Sequence, residues 1–315
     1  MTGIKKGSPG FSFLQNKKLT MPVLQINKLT KHYGKIKALN ELNLTIEAGN
    51  IYGLLGPNGS GKTTTLGIIL GILDQTKGDF EWFDGAYGDK YRMRIGAILE
   101  TPNFYPYLDA TDNLAIVQDI KRYYDDDIDE LLEIVNLAHR KKSKFRSYSL
   151  GMKQRLAIAA TLIGQPDVVI FDEPTNGLDP EGIAEVRKIL KKVADSGKTV
   201  IMASHLLDEV EKICSHVAII KEGKLLATGP VGSILSNNIT VEVGSADLFQ
   251  LQNFISGIDW IQDIKKEKDI IEFQIPEDRS AEDINTLAHN HGIILNHLVS
   301  RKRKLEEEFL EITNN

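Results

Sequence analysis

The sequence predicts an α/β fold in which helices cross over a parallel sheet, followed by a smaller α+β unit. Three observations carry that reading. Short apolar runs at 51–55, 168–171 and 199–203 sit beside segments of helical character, the alternation that builds parallel sheets. The first run leads directly into Gly56-Pro57-Asn58-Gly59-Ser60-Gly61-Lys62-Thr63-Thr64, a glycine-rich turn between strand and helix. After about Ser236 the character changes to short strands and helices in the order β-α-β-β-α-β, with one more helix behind them.

Bulk properties bound the problem. A length of 315 residues suggests two domains, and 42% hydrophobic residues allow a sizeable core. The net charge of −5, with both signs interspersed, gives no argument for nucleic acid or a membrane surface as partner. The single cysteine, Cys214, cannot form an internal disulfide, which fits a reducing cytoplasm, and its neighbours Ile213 and Val217 mark it as a small buried hydrophobe. No run approaches the roughly 18–20 apolar residues that span a bilayer, so a membrane role would come through a partner. Residues 1–20 are polar, Lys-rich and without the apolar stretch of a secretory signal. They read as a mobile tail, with Met21 a candidate start.

In chain order, residues 24–47 alternate, with Leu42, Leu44 and Ile46 on one face and Asn43, Thr45 and Glu47 on the other, as in a half-buried antiparallel strand. Residues 51–55 are a buried strand, 64–73 a half-buried helix, and 76–85 resume β character. From 111 to about 146 the period becomes helical: Ile128, Leu131, Leu132 and Val135 fall at i, i+3, i+4 and i+7 behind a run of acids that suits a helix start. This stretch is a helical insertion. A helix over 156–163 precedes the strand at 168–171. In the last part, 239–243 reads as strand and 246–256 as helix. Residues 260–264 and 270–275 form a hairpin across the charged turn 265–268. A helix over 281–289, a strand near 293–299 and a helix from Lys304 complete a ferredoxin-like or related module.

The chemistry concentrates in the first part. Residues 56–64 match G-x-x-x-x-G-K-[ST], a loop whose backbone amides turn onto phosphates because glycines leave no Cβ in the way. The following helix directs its positive end at the same anion. Lys62 would reach the β- and γ-phosphates, and the Thr63 hydroxyl would ligate Mg²⁺. The ligand is a nucleoside triphosphate. Val168-Val169-Ile170-Phe171-Asp172 delivers a carboxylate at the carboxyl edge of a buried strand, where an α/β sheet places its site. Asp172 would hold Mg²⁺ and Glu173 would polarise the attacking water. Ser149 and Gly151 open a helix as a second anion-binding element. Asn176-Gly177-Leu178-Asp179 forms a turn, and His205 ends the next strand, where its imidazole could donate to the γ-phosphate.

Together these motifs resemble the ATP-binding subunits of ATP-binding-cassette (ABC) transporters, over residues 24–232. The resemblance implies a P-loop NTPase core with an antiparallel β subdomain, a helical subdomain at about 104–160, and a small C-terminal α+β domain. The implied domains are a tail at 1–20, an ATPase domain at 21–232 and an accessory domain at 237–315. It implies ATP as ligand and Mg²⁺ as cofactor. Residues 56–64 are then the phosphate loop, and Asp172 and Thr63 the metal ligands. Glu173 is the catalytic carboxylate, aided by Lys62, with His205 as the switch histidine. Asp179 is the acid of the turn that follows, and Tyr33 stands at the adenine-stacking position. Since the phosphate loop and Ser149/Gly151 meet only across a head-to-tail dimer in that family, the partners implied are a second copy or a paralogue, plus an integral membrane permease. The expected location is the cytoplasmic face of the membrane.

Two departures stand out. Where the family has Leu-Ser-Gly-Gly-Gln, this chain has Tyr148-Ser149-Leu150-Gly151-Met152. Where most members have a metal-touching glutamine, it has Glu100, a charged oxygen ligand. Glu100 would then tune metal dependence or coupling without abolishing hydrolysis. This glutamate, the following Thr101-Pro102-Asn103-Phe104-Tyr105-Pro106-Tyr107-Leu108 and the acidic ending 305–312 resemble the bacitracin-resistance and lantibiotic-immunity branch, which implies export of an antimicrobial peptide. The loop 104–107 would lie near the groove that receives a membrane subunit's helix, unless its rings simply pack the helical insertion. A soluble cassette ATPase acting on nucleic acid or ribosomes is the alternative, with the basic runs at 140–146 and 301–304 as its possible contacts. An acidic chain overall makes those runs solvated faces, and no nucleic acid is expected.

Overall fold

The computed structural model describes residues 22–99, 103–234, 239–302 and 305–314. The tail at 1–20 and Glu100 lie outside the described residues.

Strands β1 (Pro22–Tyr33) and β2 (Ile36–Glu47) form a long antiparallel hairpin. The alternation of β2 buries Leu42, Leu44 and Ile46 and exposes Asn43 and Thr45. Then come β3 (Ile51–Leu55), α1 (Lys62–Ile69) and β4 (Lys77–Trp82), which pairs back on β1 to give a three-stranded sheet ordered β2-β1-β4. Helix α1 stops short of the sequence expectation because Gly71 turns left-handed (φ +69°) and Leu73 folds back under Gly67. Strand β5 (Ile95–Ile98) precedes a helical lobe of α2 (Ala110–Lys121), α3 (Ile128–Ile134) and α4 (Leu150–Leu162). Asp109, Asp127 and Ser149 cap these three helices by accepting from Asp112 N, Asp129 N and Met152 N. The Ser149 cap starts α4 well ahead of the apolar stretch that marks it in the sequence.

The main sheet continues with β6 (Val168–Asp172), α5 (Pro180–Asp195), β7 (Thr199–Ser204), α6 (Leu207–Ile213), β8 (His216–Lys221), β9 (Lys224–Pro230) and the short α7 (Val231–Ile234). Its order is β5-β6-β7-β3-β8-β9, parallel except for β9. The central strands are apolar without a break because both faces are covered. Val169, Phe171, Val200 and Met202 point into one core with the helical lobe and α5. Their neighbours Val168, Ile170, Ile201 and Ala203 point into a second, with α1 and the antiparallel sheet.

The remaining strands make a sheet of their own. Strand β10 (Ile239–Ser245), α8 (Leu248–Ser256), β11 (Gln262–Glu267), β12 (Ile270–Ile275), α9 (Ala281–Asn290) and β13 (Leu295–Lys302) give the antiparallel order β11-β12-β10-β13, that of a ferredoxin-like module. A separate core of Val241, Val243, Leu251, Phe273, Ile284 and neighbours holds it. The hairpin differs from expectation: the charged residues 265–267 continue β11, and the turn is only Lys268-Asp269. Every residue of β11 is exposed, so this lysine-bearing edge strand has no apolar face to mark it in the sequence. The last element is α10 (Leu305–Asn314). Among the described residues no helix is long and apolar enough to cross a membrane.

Candidate active site

Three loops gather at the carboxyl ends of the adjacent strands β6, β7 and β3, the edge where a parallel sheet collects its ligand groups. The loop after β3 is the phosphate-binding motif. Its bends need glycine for two reasons: Gly61, at the head of α1, has φ +110°, and a Cβ on it would sit 2.7 Å from Ala38 O. A Cβ on Gly56 would overlap Ile220 O and Ser60 Oγ. Pro57, Asn58 and Gly59 are exposed at the loop's crest, while Ser60 turns inward. Ser60 O accepts from Gly223 N at 2.9 Å, and Gly223 O accepts from Asn40 N at 2.9 Å, so the β8–β9 turn props the loop from beneath. Nothing local in the sequence marks that prop.

Lys62 is 5% exposed, and its ammonium donates to Gly56 O at 2.7 Å and Pro57 O at 3.3 Å. It also lies 4.0 Å from Glu173 Oε1. Burial lowers its pKa from the ordinary lysine value, while the carboxylates of Glu173 and Asp172 oppose that shift. Thr63 Oγ1 donates to Asp172 Oδ2 at 2.7 Å. A hydroxyl and a carboxylate side by side are hard oxygen donors, the set a small divalent cation such as Mg²⁺ takes. Thr64, next along α1, is half-buried.

Glu173 leaves β6 in a left-handed conformation (φ +50°), yet its amide still donates to Ala203 O at 3.0 Å. The strained residue is thereby fastened to the end of β7. Its carboxylate faces Lys62 through Oε1 and His205 Nδ1, at 2.8 Å, through Oε2. Lys62, Thr63, Asp172, Glu173 and His205 thus form one connected group.

Ser149, Gly151 and Asp179 line a different concavity, of about 470 Å³, together with Leu150, Met152 and Gly177. Ser149 Oγ caps α4 and Asp179 Oδ1 caps α5 by accepting from Gly182 N at 2.9 Å. Of the two departures, Leu150 is 46% exposed beside Gly177, and Met152 packs partly on the main core. Tyr33 stands at the tip of the β1–β2 hairpin, 47% exposed, with the Lys31 ammonium 5.0 Å from its ring.

The aromatic loop divides. Phe104 packs edge-on against Phe145 (centroids 5.2 Å apart) and joins the core, whereas Tyr105 and Tyr107 are exposed. Phe104 also borders a groove of about 360 Å³ between β5, α2 and α4. Lys121 lines it and donates to Ala160 O and Ile163 O at the end of α4. Within the basic run at 140–146, Lys141 pairs with Asp129 and Lys142 with Asp109, while Lys144 and Arg146 are exposed. Arg301 pairs with Glu242 and Glu272.

The chain is similar to known proteins over most of its length. A family profile described as "ABC transporter" matches residues 39–176. The bacitracin transport ATP-binding protein BcrA of Bacillus licheniformis is 43% identical over 221 residues, 69% of this chain and 72% of that protein. The lantibiotic transport ATP-binding protein SrtF of Streptococcus pyogenes is 40% identical over 204 residues, 65% and 89% of the two chains. Among solved structures, cbiO1 from Clostridium perfringens, part of the ABC transporter complex cbiONQ, superposes with a TM-score of 0.62 at 30% identity, covering 68% of this chain and 90% of that one. The cassette MJ0796, solved as a dimer in a post-hydrolysis state bound to ADP and Pi, gives 0.58 at 27%, covering 66% and 98%. The chain belongs to the ABC transporter family, as an ATP-binding subunit and ATP hydrolase.

Proposed function

We propose that this subunit hydrolyses ATP at a site built from residues 56–64, Asp172, Glu173 and His205, closed by Ser149 and Gly151 of a second cassette, and so drives a separate membrane permease. The observation that carries the reading is the Lys62–Glu173–His205 contact chain beside the Thr63–Asp172 pair, on three adjacent strand ends. Thr63 and Asp172, with Glu100, would hold Mg²⁺, which when bound neutralises charge on the β- and γ-phosphate oxygens. Amides of the loop and Lys62 hold the phosphate tail, and Tyr33 stacks on adenine. Glu173 orients a water in line with the γ-phosphorus and accepts its proton as the new P–O bond forms and the bond to the β-phosphate oxygen breaks. His205 donates to a γ-phosphate oxygen.

Asp179, at the rim of the second concavity, would meet the partner cassette, either a second copy or a paralogue. The subunit would sit on the cytoplasmic face of the membrane, with Tyr105, Tyr107 and the nearby groove facing the permease. The likeness to BcrA and SrtF supports an antimicrobial peptide as cargo of that permease. No observation favours nucleic acid, and Lys141, Lys142 and Arg301 are paired with acids.

The test is Glu173→Gln in the purified subunit. ATP binding should persist while turnover falls by about 10²-fold or more, the usual size of a general-base loss. Hydrolysis at the unaltered rate would refute the assignment.

A further inference from the structure

The residue whose position matters most to the γ-phosphate side of this site, His205, is followed at once by a helix that cannot hold itself in place. Helix α6 has 7 residues and no side-chain cap at its N-terminus. So short a helix is stable only through what packs on it. Three neighbours do so. Beneath it, Val210 presses on β3, so closely that a Cβ on Gly53 would overlap its methyl group at 2.5 Å. On one side, Arg187 of α5 donates twice to Glu209, at 2.9 and 3.1 Å.

The third neighbour is α10, which comes from the far end of the chain, after the accessory sheet. Leu305 is fully buried in the same apolar cluster as Val210, Ile213 and Val231, and Phe309 and Ile312 pack against that cluster. The Leu305 amide donates to Glu211 Oε2 at 3.1 Å, tying the start of α10 to α6. Near its other end, Thr313 O accepts from the ammonium of Lys221, the last residue of β8. The helix is thus pinned at both ends to the ATPase unit while its connection runs from β13 of the accessory sheet.

We propose that α10 is an intramolecular clamp through which the accessory unit sets the position of α6, and with it the His205–Glu173 contact and the rate of hydrolysis. The proposal rests on the reading of His205 given above. It gives residues 239–314 a role: a displacement of the accessory sheet reaches the site through one covalent step, β13 to α10, and one packed contact, α10 to α6. Glu211 and Lys221 are positioning residues here, since neither touches the nucleotide group.

The experiment uses the full-length subunit with Glu211→Met and Lys221→Met combined, which removes the acceptor of the Leu305 amide and the donor to Thr313 O while leaving the apolar residues of α10 in place. Turnover at saturating ATP, KM for ATP and amide hydrogen exchange of 206–213 are measured, with His205→Ala in parallel. The expected result is a fall in kcat of about fivefold, the equivalent of one ordinary hydrogen bond, with KM unchanged and faster exchange confined to 206–213 and 305–314. Unchanged kcat, with or without faster exchange, overturns the clamp. If His205→Ala itself turns over normally, the reading of His205 has failed, and that failure is distinguishable because it does not depend on the clamp variants.

Discussion

Lys121 offers a sharp test of how the helical lobe is held. Its ammonium is sequestered at the groove between α2 and α4, donating to Ile163 O at 2.6 Å and Ala160 O at 3.3 Å. Burial pulls its pKa from 10.5 to about 8, with Asp126 opposing. Because the folded chain sheds this proton before the unfolded chain does, the unfolded state binds more protons between those two values, and stability rises with pH across that window. Each unit of difference corresponds to about 1.4 kcal/mol, so the full traverse is worth about 3.4 kcal/mol. Between about pH 7 and about pH 9.5 the gain is about 2 kcal/mol. Other groups titrate in this range too, so the measurement is a difference: the thermal midpoint of the native chain minus that of Lys121→Met at each pH. With roughly 2 cal/mol/K per residue of unfolding entropy, the native chain should gain about 3 °C on the variant between the two conditions. An unchanged difference would refute the reasoning, since it would mean that Lys121 keeps its charge solvated.

Other outcomes follow from the site and its surroundings. Asp172→Asn should raise the Mg²⁺ concentration needed for half-maximal hydrolysis by at least about tenfold, read from metal titrations of the ATPase rate; chelation of the metal should stop turnover in both proteins. Phe104→Ala should cost about 2 kcal/mol of stability by emptying the contact with Phe145. Tyr107→Ala should leave the melting midpoint and ATP binding intact while weakening co-purification with the membrane subunit from native membranes. Gly151→Ala should leave the melting midpoint unchanged or slightly raised, yet reduce ATP-dependent dimerisation of a Glu173→Gln background in sedimentation velocity.

What could be read from the sequence was local chemistry. Residues 56–64 are contiguous, running from the loop into α1, and Asp172 and Glu173 stand at the end of one buried strand, so a short window specifies each piece. The split of β2 into buried and exposed faces was equally plain, because the period of a strand is written in four or five residues. What escaped was made by residues far apart. The Gly223 turn supports Ser60 across more than 160 positions, and Arg187 finds Glu209 only once α5 and α6 are packed. The aromatic loop looked uniform, but Phe104 meets Phe145 while its neighbours Tyr105 and Tyr107 do not turn inward. The return of α10 to α6 crosses a whole separate core, which no periodicity could announce.

Gly151 shows how the structure can point beyond the single chain. Gly56 and Gly61 are required by their own surroundings, as a Cβ on either would meet backbone. A Cβ on Gly151 would meet only Gly182 Cα and Leu178 Cδ2, each at 3.9 Å, ordinary contacts. Nor is its φ positive. Within a helix, glycine is about 0.5–1 kcal/mol worse than alanine, so the fold by itself would be better served by alanine at this position. The missing side chain leaves room for a group from outside the chain to approach the start of α4, as the proposed closure by a second cassette would use it. The Ser149 hydroxyl and the positive end of a 13-residue helix suit an anion there. The exposed Leu150 and half-buried Met152 flank that point and change its rim, leaving Ser149 and Gly151 in place. This is the physical basis for expecting a variant but working closure of a second cassette's ATP, and it is why Gly151→Ala separates stability from dimerisation.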